Sequence, residues 1–142
     1  MTIGKSFRWE AAHRIPWHTG KCKNLHGHSY KMEVILEGKV NDQGIIMDFQ
    51  DLKEMVKPLI DQLDHATIIS EIDHELREIF EQKNWKYFLM VEDSTAENLC
   101  LFFIEYLLSN HRSHLQSHQI TAIAIKIFET ESAYAQVRRS ID

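Results

Sequence analysis

The His26-Gly27-His28 motif and the alternating residues that follow it constrain the fold more than any other stretch. Every second residue from Tyr30 to Leu36 is apolar or aromatic, which predicts a β-strand from about Leu25 to Val40. Side chains two residues apart point to the same face of a strand, so His26 and His28 should point into one space. Two imidazoles on one face can share a metal ion, and imidazole is a good zinc ligand.

Residues 3 to 13 alternate as well, and this pattern places His13 in phase with Phe7 and Trp9. If the two strands pair as a hairpin, His13 faces His26 and His28. Three histidines leave a fourth zinc position open, as in catalytic rather than structural zinc sites. The alternative is that His13 is a packed core histidine bonded to a carbonyl group.

The rest of the chain predicts two amphipathic helices and three further strands. Asp48 is a plausible N-cap for a helix that ends near Leu63, and Pro58 should kink that helix or start a new turn there. The Ser94-Thr95-Ala96-Glu97 segment has the form of a capping box before the second helix. The other assignments are a turn at 41–44, an unclear segment at 66–84 with a short helix at 72–82, a polar loop at 110–117, and strands at 86–91, 120–128 and 133–137.

This order indicates an α+β fold, in which two helices pack on one face of an antiparallel sheet. A length of 142 residues without an internal boundary predicts a single domain over residues 1–142. The net charge of −5 argues against nucleic acid as a partner. No apolar run is long enough for a membrane span, and the N-terminus lacks a signal-peptide core. Two cysteines do not make a disulfide framework, so we expect a cytoplasmic protein.

Cys22 is a candidate catalytic thiol. It lies between Lys21 and Lys23, four residues before His26. Positive charge or a metal ion near a thiol favours the thiolate, which could act as nucleophile or general base. The alternative is a small buried apolar residue. Cys100, in the middle of the second helix, is predicted to belong to the core.

Three acidic or histidine positions also suggest chemistry. A carboxylate beside an imidazole, as in Asp64-His65, can orient the ring and hold its proton, although a solvated helix end is the alternative. Glu129 is in phase with the isoleucines of residues 123–127, where a carboxylate could bond to a ligand with two adjacent N–H groups. It is exposed instead if the strand has already ended. Three further histidines in or just after the polar loop could bind a metal, but histidines without an apolar scaffold are more often solvated: His111, His114 and His118.

Together these motifs resemble the 6-pyruvoyl-tetrahydropterin synthase and 6-carboxy-tetrahydropterin synthase family. The Cys-x-x-x-His-Gly-His motif with the upstream Ala-His-Arg is specific, and the other motifs gain weight from their order. Two departures occur: Ala66-Thr67 follows Asp-His where the family often has Leu-Asn, and Ser94 replaces a usual proline. The matching segments are Phe7 to Arg14, Cys22 to Tyr30, Gly44 to Lys53, Leu63-Asp64-His65, Ser94 to Asn98 and Glu129-Thr130.

The resemblance implies a tunnelling fold, with a four-stranded antiparallel sheet, two helices on one face, and assembly into a barrel-shaped oligomer whose active sites lie between subunits. It also implies roles for individual residues. These are zinc ligands at His13, His26 and His28, a proton-abstracting base at Cys22, a second acid/base unit at Asp64 and His65, a pterin anchor at Glu129, and a pocket residue at Thr95.

The implied reaction is that of a lyase acting on a pterin triphosphate. It converts 7,8-dihydroneopterin triphosphate to 6-carboxy-5,6,7,8-tetrahydropterin, acetaldehyde and triphosphate, a step towards queuosine. Lys21, Lys23 and Arg14 are candidates for binding the triphosphate. The alternatives are a 6-pyruvoyl-tetrahydropterin synthase of biopterin synthesis and a zinc-stabilised pterin-binding protein without turnover.

Residues 120–128 are apolar on both registers, which predicts that both faces of this strand are covered. We expect a second subunit to cover one of them, in a homo-oligomer that is a hexamer of two stacked trimers. In this assembly Cys22 and Glu129 of one site would come from different chains.

Overall fold

The computed structural model describes residues 1–141, in which one six-stranded sheet packs with three α-helices. The order of strands across the sheet is β4-β3-β1-β2-β5-β6. The strands are β1 (Thr2–His13), β2 (His26–Gly38), β3 (Ala66–Ser70), β4 (Tyr87–Met90), β5 (Ile120–Phe128) and β6 (Tyr134–Ser140). The helices are α1 (Phe49–Leu63), α2 (His74–Lys83) and α3 (Ala96–Ser117). None of the helices in residues 1–141 is both long enough and apolar enough to cross a membrane.

The α+β class is confirmed, but the prediction of four strands and two helices is wrong. Strands β1, β2, β5 and β6 are joined by antiparallel pairing, as predicted. Strand β3 adds to β1 in parallel, and β4 adds to β3 in parallel. Parallel neighbours require a crossover connection, and α2 supplies it between β3 and β4.

The main core lies between one face of the sheet and helices α1 and α3. The alternating residues of β2 build its centre, and each is fully buried: Tyr30, Met32, Val34 and Leu36. A fully buried large apolar side chain contributes roughly 1.5–3 kcal/mol. This burial fixes the register of β2, because a slip of one residue would expose the whole set.

Strand β3 is buried along its entire length. Ile68 belongs to the main core, whereas Ile69 packs in a second cluster with Leu76 and Phe80 of α2. The strand therefore has a covered surface on both sides. Neither register of such a strand faces water, so its sequence does not alternate between apolar and polar residues. This is why the segment at 66–84 was unclear.

Two helix ends differ in detail from the predictions. Asp48 caps α1 as expected, because its side chain accepts a hydrogen bond from the Gln50 amide at 2.7 Å. Helix α1 continues through Pro58, which is exposed, so water can reach the carbonyl group that proline leaves unpaired. The N-cap of α3 is Thr95 rather than Ser94, and Thr95 Oγ1 accepts a hydrogen bond from the Asn98 amide at 3.2 Å.

The polar loop predicted at residues 110–117 is wrong, since α3 extends through Ser117. Leu115 is fully buried and anchors the last turns of the helix to the main core. One apolar side chain in eight residues was too weak a pattern to predict a helix, but it is sufficient where neighbouring turns are already docked.

The second apolar register of β5 is covered within the single chain. Ala122 and Ala124 are buried. Ala122 pairs with Glu37 of β2, and Ala124 pairs with Arg138 of β6. Glu37 and Arg138 form an ion pair at 2.8 Å that spans β5 between its two neighbours. These alanines are therefore already buried within one chain, whereas we expected a second subunit to cover this register.

Candidate active site

The β1–β2 hairpin brings the three predicted metal-ligating histidines together. His13 pairs with His26, and Ala11 pairs with His28, so all three side chains share one face of the sheet. The ring centroids lie 4.7 Å apart for His13–His26, 5.1 Å for His13–His28 and 4.8 Å for His26–His28. One nitrogen from each ring lies within 4.8 Å of the other two, which makes this trio a possible metal-binding cluster.

The hydrogen bonds behind the cluster select the ring nitrogens that face a metal. His13 Nδ1 lies 2.9 Å from the Ser94 carbonyl oxygen, and His26 Nδ1 lies 2.7 Å from the Asn24 carbonyl oxygen. A carbonyl can only accept, so each Nδ1 carries the proton and each Nε2 keeps its lone pair free. His28 Nε2 is buried with no hydrogen-bond partner. Buried nitrogens without partners are costly unless a ligand satisfies them, so these residues fit a metal ion.

Burial favours the neutral form of two of these histidines. The pKa of His13 is lowered to about 4, mainly by burial and also by the neighbouring His26 and His28, whereas the bond to Ser94 opposes the shift. Burial and His26 also lower the pKa of His28. Neutral imidazole is the form that coordinates a metal ion.

A cavity of about 370 Å³ adjoins the cluster and contains the predicted thiol and carboxylate. Cys22 reaches it from a short 3₁₀ helix at Lys21–Lys23, whose position is fixed by a 2.8 Å bond from the Ile15 amide to the Cys22 carbonyl. Cys22 and Glu129 line this one cavity of a single chain, so the prediction that they come from different chains is wrong. The lining also includes His13, Trp17, Thr95, Glu97 and Tyr134.

Glu129 follows directly after β5 and is partly buried, so neither predicted alternative is fully right: the strand has ended, yet the side chain is only 28% exposed. One of its carboxylate oxygens lies 3.9 Å from His13 Nε2. Burial raises the pKa of Glu129, Glu97 raises it further, and His26 opposes the shift. A carboxylate aimed into a cavity can bind a ligand that presents N–H donors.

Asp64 and His65 are in contact as the sequence predicted, but they lie away from this cavity. His65 Nδ1 lies 3.0 Å from Asp64 Oδ1, and the Glu10 amide donates to the same carboxylate at 2.9 Å. These bonds lower the pKa of Asp64, the one from Glu10 most. His65 lines a different cavity of about 380 Å³ together with Glu10 and Ala12. Those residues alternate with Ala11 and His13, so this cavity opens on the opposite face of the hairpin.

The backbone at His65 is held in an unusual conformation. Its φ of 58° lies in the left-handed region, which a non-glycine residue rarely adopts. The His65 amide donates to the Glu10 carbonyl at 2.6 Å, and Lys86 Nζ donates to the Asp64 carbonyl at 2.6 Å. These bonds maintain the turn and present the imidazole with 76% of its side chain exposed.

Sequence reasoning missed two contributors to the site, Ser94 and Glu97, and gave Arg14 a role that its contacts do not favour. Ser94 is buried behind His13, and Glu97 faces the same cavity as Glu129. Both occur in the predicted capping segment, so their polar character had another explanation. Arg14 is bound by Asp73 through two hydrogen bonds of 2.7 and 2.6 Å, which weakens its case as a triphosphate ligand. Cys100 is buried in the core as predicted, and burial raises the pKa of its thiol to about 11.

The fold and the site define a class: an α+β domain with a candidate metal cluster at the wall of a substrate-sized cavity. Residues 2–140 match the family model of 6-pyruvoyl tetrahydropterin synthase, and the chain belongs to this family of tetrahydropterin synthases. It is 32% identical to a protein of Haemophilus influenzae over 94% of this chain and 96% of that one. It is 31% identical to a protein of Aquifex aeolicus over 96% of each chain. Both relatives are named 6-carboxy-5,6,7,8-tetrahydropterin synthase.

Solved structures of the family have the same fold. The 6-pyruvoyl tetrahydropterin synthase of Plasmodium vivax aligns with a TM-score of 0.79 at 20% identity, over 99% of both chains. The enzyme of that name from Caenorhabditis elegans aligns with a TM-score of 0.69 at 25% identity, over 99% of this chain and 96% of that one.

Proposed function

We propose that this chain is a zinc-dependent 6-carboxy-5,6,7,8-tetrahydropterin synthase of queuosine biosynthesis. Its substrate would be 7,8-dihydroneopterin triphosphate, and its products 6-carboxy-tetrahydropterin, acetaldehyde and triphosphate. The main support is one observation: His13, Cys22 and Glu129 line a single cavity beside the histidine cluster. The names of the bacterial relatives favour the carboxy product.

The proposed roles follow from what each group can exchange with the substrate. Glu129 accepts a pair of hydrogen bonds from the pterin ring, which fixes the ring in the cavity next to Thr95. His13, His26 and His28 would hold zinc through Nε2, and bound zinc would polarise the oxygens of the substrate side chain. Cys22, as the thiolate, takes a carbon-bound proton from that side chain.

Asp64 and His65 are the proposed second acid/base unit, and they cannot serve the cavity of their own chain from the opposite face. We therefore propose a homo-oligomer, a hexamer of two stacked trimers, in which this pair completes the site of a neighbouring chain. Light scattering at low micromolar concentration should give a multiple of the 16.7 kDa chain mass. A fully active monomer would refute the shared site.

The unpaired state of both cysteines fits the reducing cytoplasm, which we propose as the location.

A second candidate function is 6-pyruvoyl tetrahydropterin synthase, the name of the family model and of the aligned structures. The two reactions differ in whether the side chain loses carbon. Incubation with 7,8-dihydroneopterin triphosphate and mass spectrometry of the pterin decide between them. We expect the carboxy product with one acetaldehyde for each triphosphate released. A pyruvoyl product without acetaldehyde would overturn this assignment, and release of neither product would indicate a pterin-binding protein without turnover.

A further inference from the structure

A second group of metal-ligand side chains lies outside the cavity just described. It consists of Asp51 in the first turn of α1, His114 in the last turn of α3 and His118, the C-cap of α3. One ligand atom from each residue lies within 4.8 Å of the other two. None of the three lines the cavity that contains Cys22 and Glu129.

The two histidines are arranged to coordinate one ion. They are four residues apart at the end of a helix, where such residues are neighbours, and their ring centroids lie 4.5 Å apart. His118 Nδ1 lies 2.9 Å from the His114 carbonyl oxygen, so Nδ1 carries the proton and Nε2 keeps its lone pair free. A neighbouring hydrogen bond that fixes the tautomer of a ring is typical of metal-ligating histidines.

Asp51 supplies a carboxylate from the other helix without making an ion pair. Within residues 1–141, the ion pairs of 4.0 Å or less do not include one between Asp51 and His114 or His118. Ligand atoms around one zinc ion stand about 3–4 Å apart, since each metal–ligand bond is about 2.0–2.2 Å. The three ligand atoms of this group lie within 4.8 Å of one another, so small side-chain rotations would bring all three to one ion.

The backbone under this group is firmly positioned. Leu115 and Leu52 are both fully buried in the main core. An ion would thus meet ligands on two helices that are already docked, and little ordering would oppose binding.

Helix dipoles explain each residue separately but not the group. An acidic residue in a first turn and a histidine in a last turn are both favourable. That effect does not require the side chains of two helices to converge on one point. Two imidazoles and one carboxylate from two elements form a ligand set that suits zinc, nickel or copper rather than magnesium or calcium.

We propose that Asp51, His114 and His118 form a second site for a divalent transition metal of the zinc class, which links the end of α3 to the start of α1. Water would occupy the remaining coordination positions, because His114 is exposed and only three protein ligands are present. An ion that binds only the folded chain stabilises it, so occupancy should raise the melting temperature. This proposal is independent of the proposed function, since it involves none of the cavity residues.

The test counts zinc equivalents on the full-length, untagged protein. A chelator strips the protein, the chelator is dialysed away, and zinc is titrated by calorimetry into the parent and three variants. We expect His118→Gln to bind one equivalent per chain fewer than the parent, and His114→Gln to lose the same equivalent. The matched control is His111→Gln, which replaces a histidine of the same helix that is outside the ligand set and should retain every equivalent.

The comparison between variants tests the second site whether or not the histidine cluster beside the cavity binds zinc. His26→Ala should lose a different equivalent, and the double variant His26→Ala with His118→Gln should lose both. Zinc should raise the melting temperature of His26→Ala, and this rise should disappear when His118→Gln is added. The proposal is overturned if His118→Gln and His114→Gln both bind as many equivalents as the parent. It is also overturned if His111→Gln loses the same equivalent as His118→Gln. Because His114 is exposed, His114→Gln still provides the answer if His118→Gln fails to fold.

Discussion

The two faces of the β1–β2 hairpin are built in opposite ways. On one face His13 and His28 are partly or fully buried, and hydrogen bonds to carbonyl groups fix the rings of His13 and His26. On the other face His65 stands on a left-handed turn with most of its ring in water. The first face carries the possible metal cluster and the cavity with Cys22 and Glu129. The second presents a carboxylate–imidazole pair, of which the imidazole is largely exposed.

This difference fits the proposed oligomer, in which one domain would carry two groups that meet only across chains. Buried groups need partners, and the partners of His13 and His26 come from the same chain. Exposed groups such as His65 remain free to meet another surface. Burial thus distinguishes the residues that prepare a site from those that can complete a neighbouring one.

The largest effect is expected when one histidine is removed from the cluster on the first face of the hairpin. His26→Ala should abolish metal binding at the first cluster, because two imidazoles leave an incomplete shell. Metal analysis of parent and variant, both also carrying His118→Gln, checks this without interference from the second group. We expect one equivalent of zinc in that parent and almost none in the variant. Full retention would remove the histidine cluster from the proposed site.

A mixing experiment asks whether the second face serves another chain. Cys22→Ala and His65→Asn should each be inactive alone, since one lacks the proposed base and the other the proposed acid/base unit. When the two are unfolded together in equal amounts and refolded, about a quarter of the sites should regain both groups if each site is shared by two chains of a symmetric oligomer. Steady-state product formation measures this recovery. Activity no higher than that of the separate variants would place the site within one chain.

The smallest expected effect concerns Glu129, the proposed pterin anchor in the cavity that also contains Cys22. Glu129→Gln keeps the shape of the side chain but replaces one acceptor oxygen with a donor. Loss of a charged hydrogen bond costs roughly 1.5–3 kcal/mol, so affinity for a pterin should fall about tenfold or more. Calorimetry with a pterin lacking the triphosphate measures it, and Glu131→Gln, at an exposed residue outside the cavity lining, is the matched control. Equal affinity in both variants would remove Glu129 from the site.

The sequence predicted those strands in which apolar and polar residues alternate. Strands β1 and β2 each have one register that is more buried than the other, so the convergence of His13, His26 and His28 could be expected from their spacing once the two strands pair. Strand β3 could not be recognised, because both of its faces are covered and its five residues are all buried. With β3 missing, the parallel pairs and the crossover through α2 were missed as well.

The site was predicted only as far as local patterns extend. The position of Cys22 beside the cluster followed from its spacing to His26, and the structure places it in the adjoining cavity. The support from Ser94 could not be anticipated, because it is brought to His13 from 81 positions away by the docking of α3. The end of α3 was mistaken for a loop, so the histidines at 114 and 118 were read as solvated residues.

The bond between His13 and Ser94 has a consequence for the order in which the protein forms. His13 and His26 are close in sequence and meet as soon as the hairpin closes. The carbonyl group that orients His13 arrives only when a segment 81 positions away docks, and closing a longer loop costs more entropy. A hairpin formed without that segment therefore lacks the acceptor that orients His13, whereas His26 already has the Asn24 carbonyl two residues away. A metal ion held by the proposed cluster would therefore meet a fully oriented His13 only after the segment before α3 has docked.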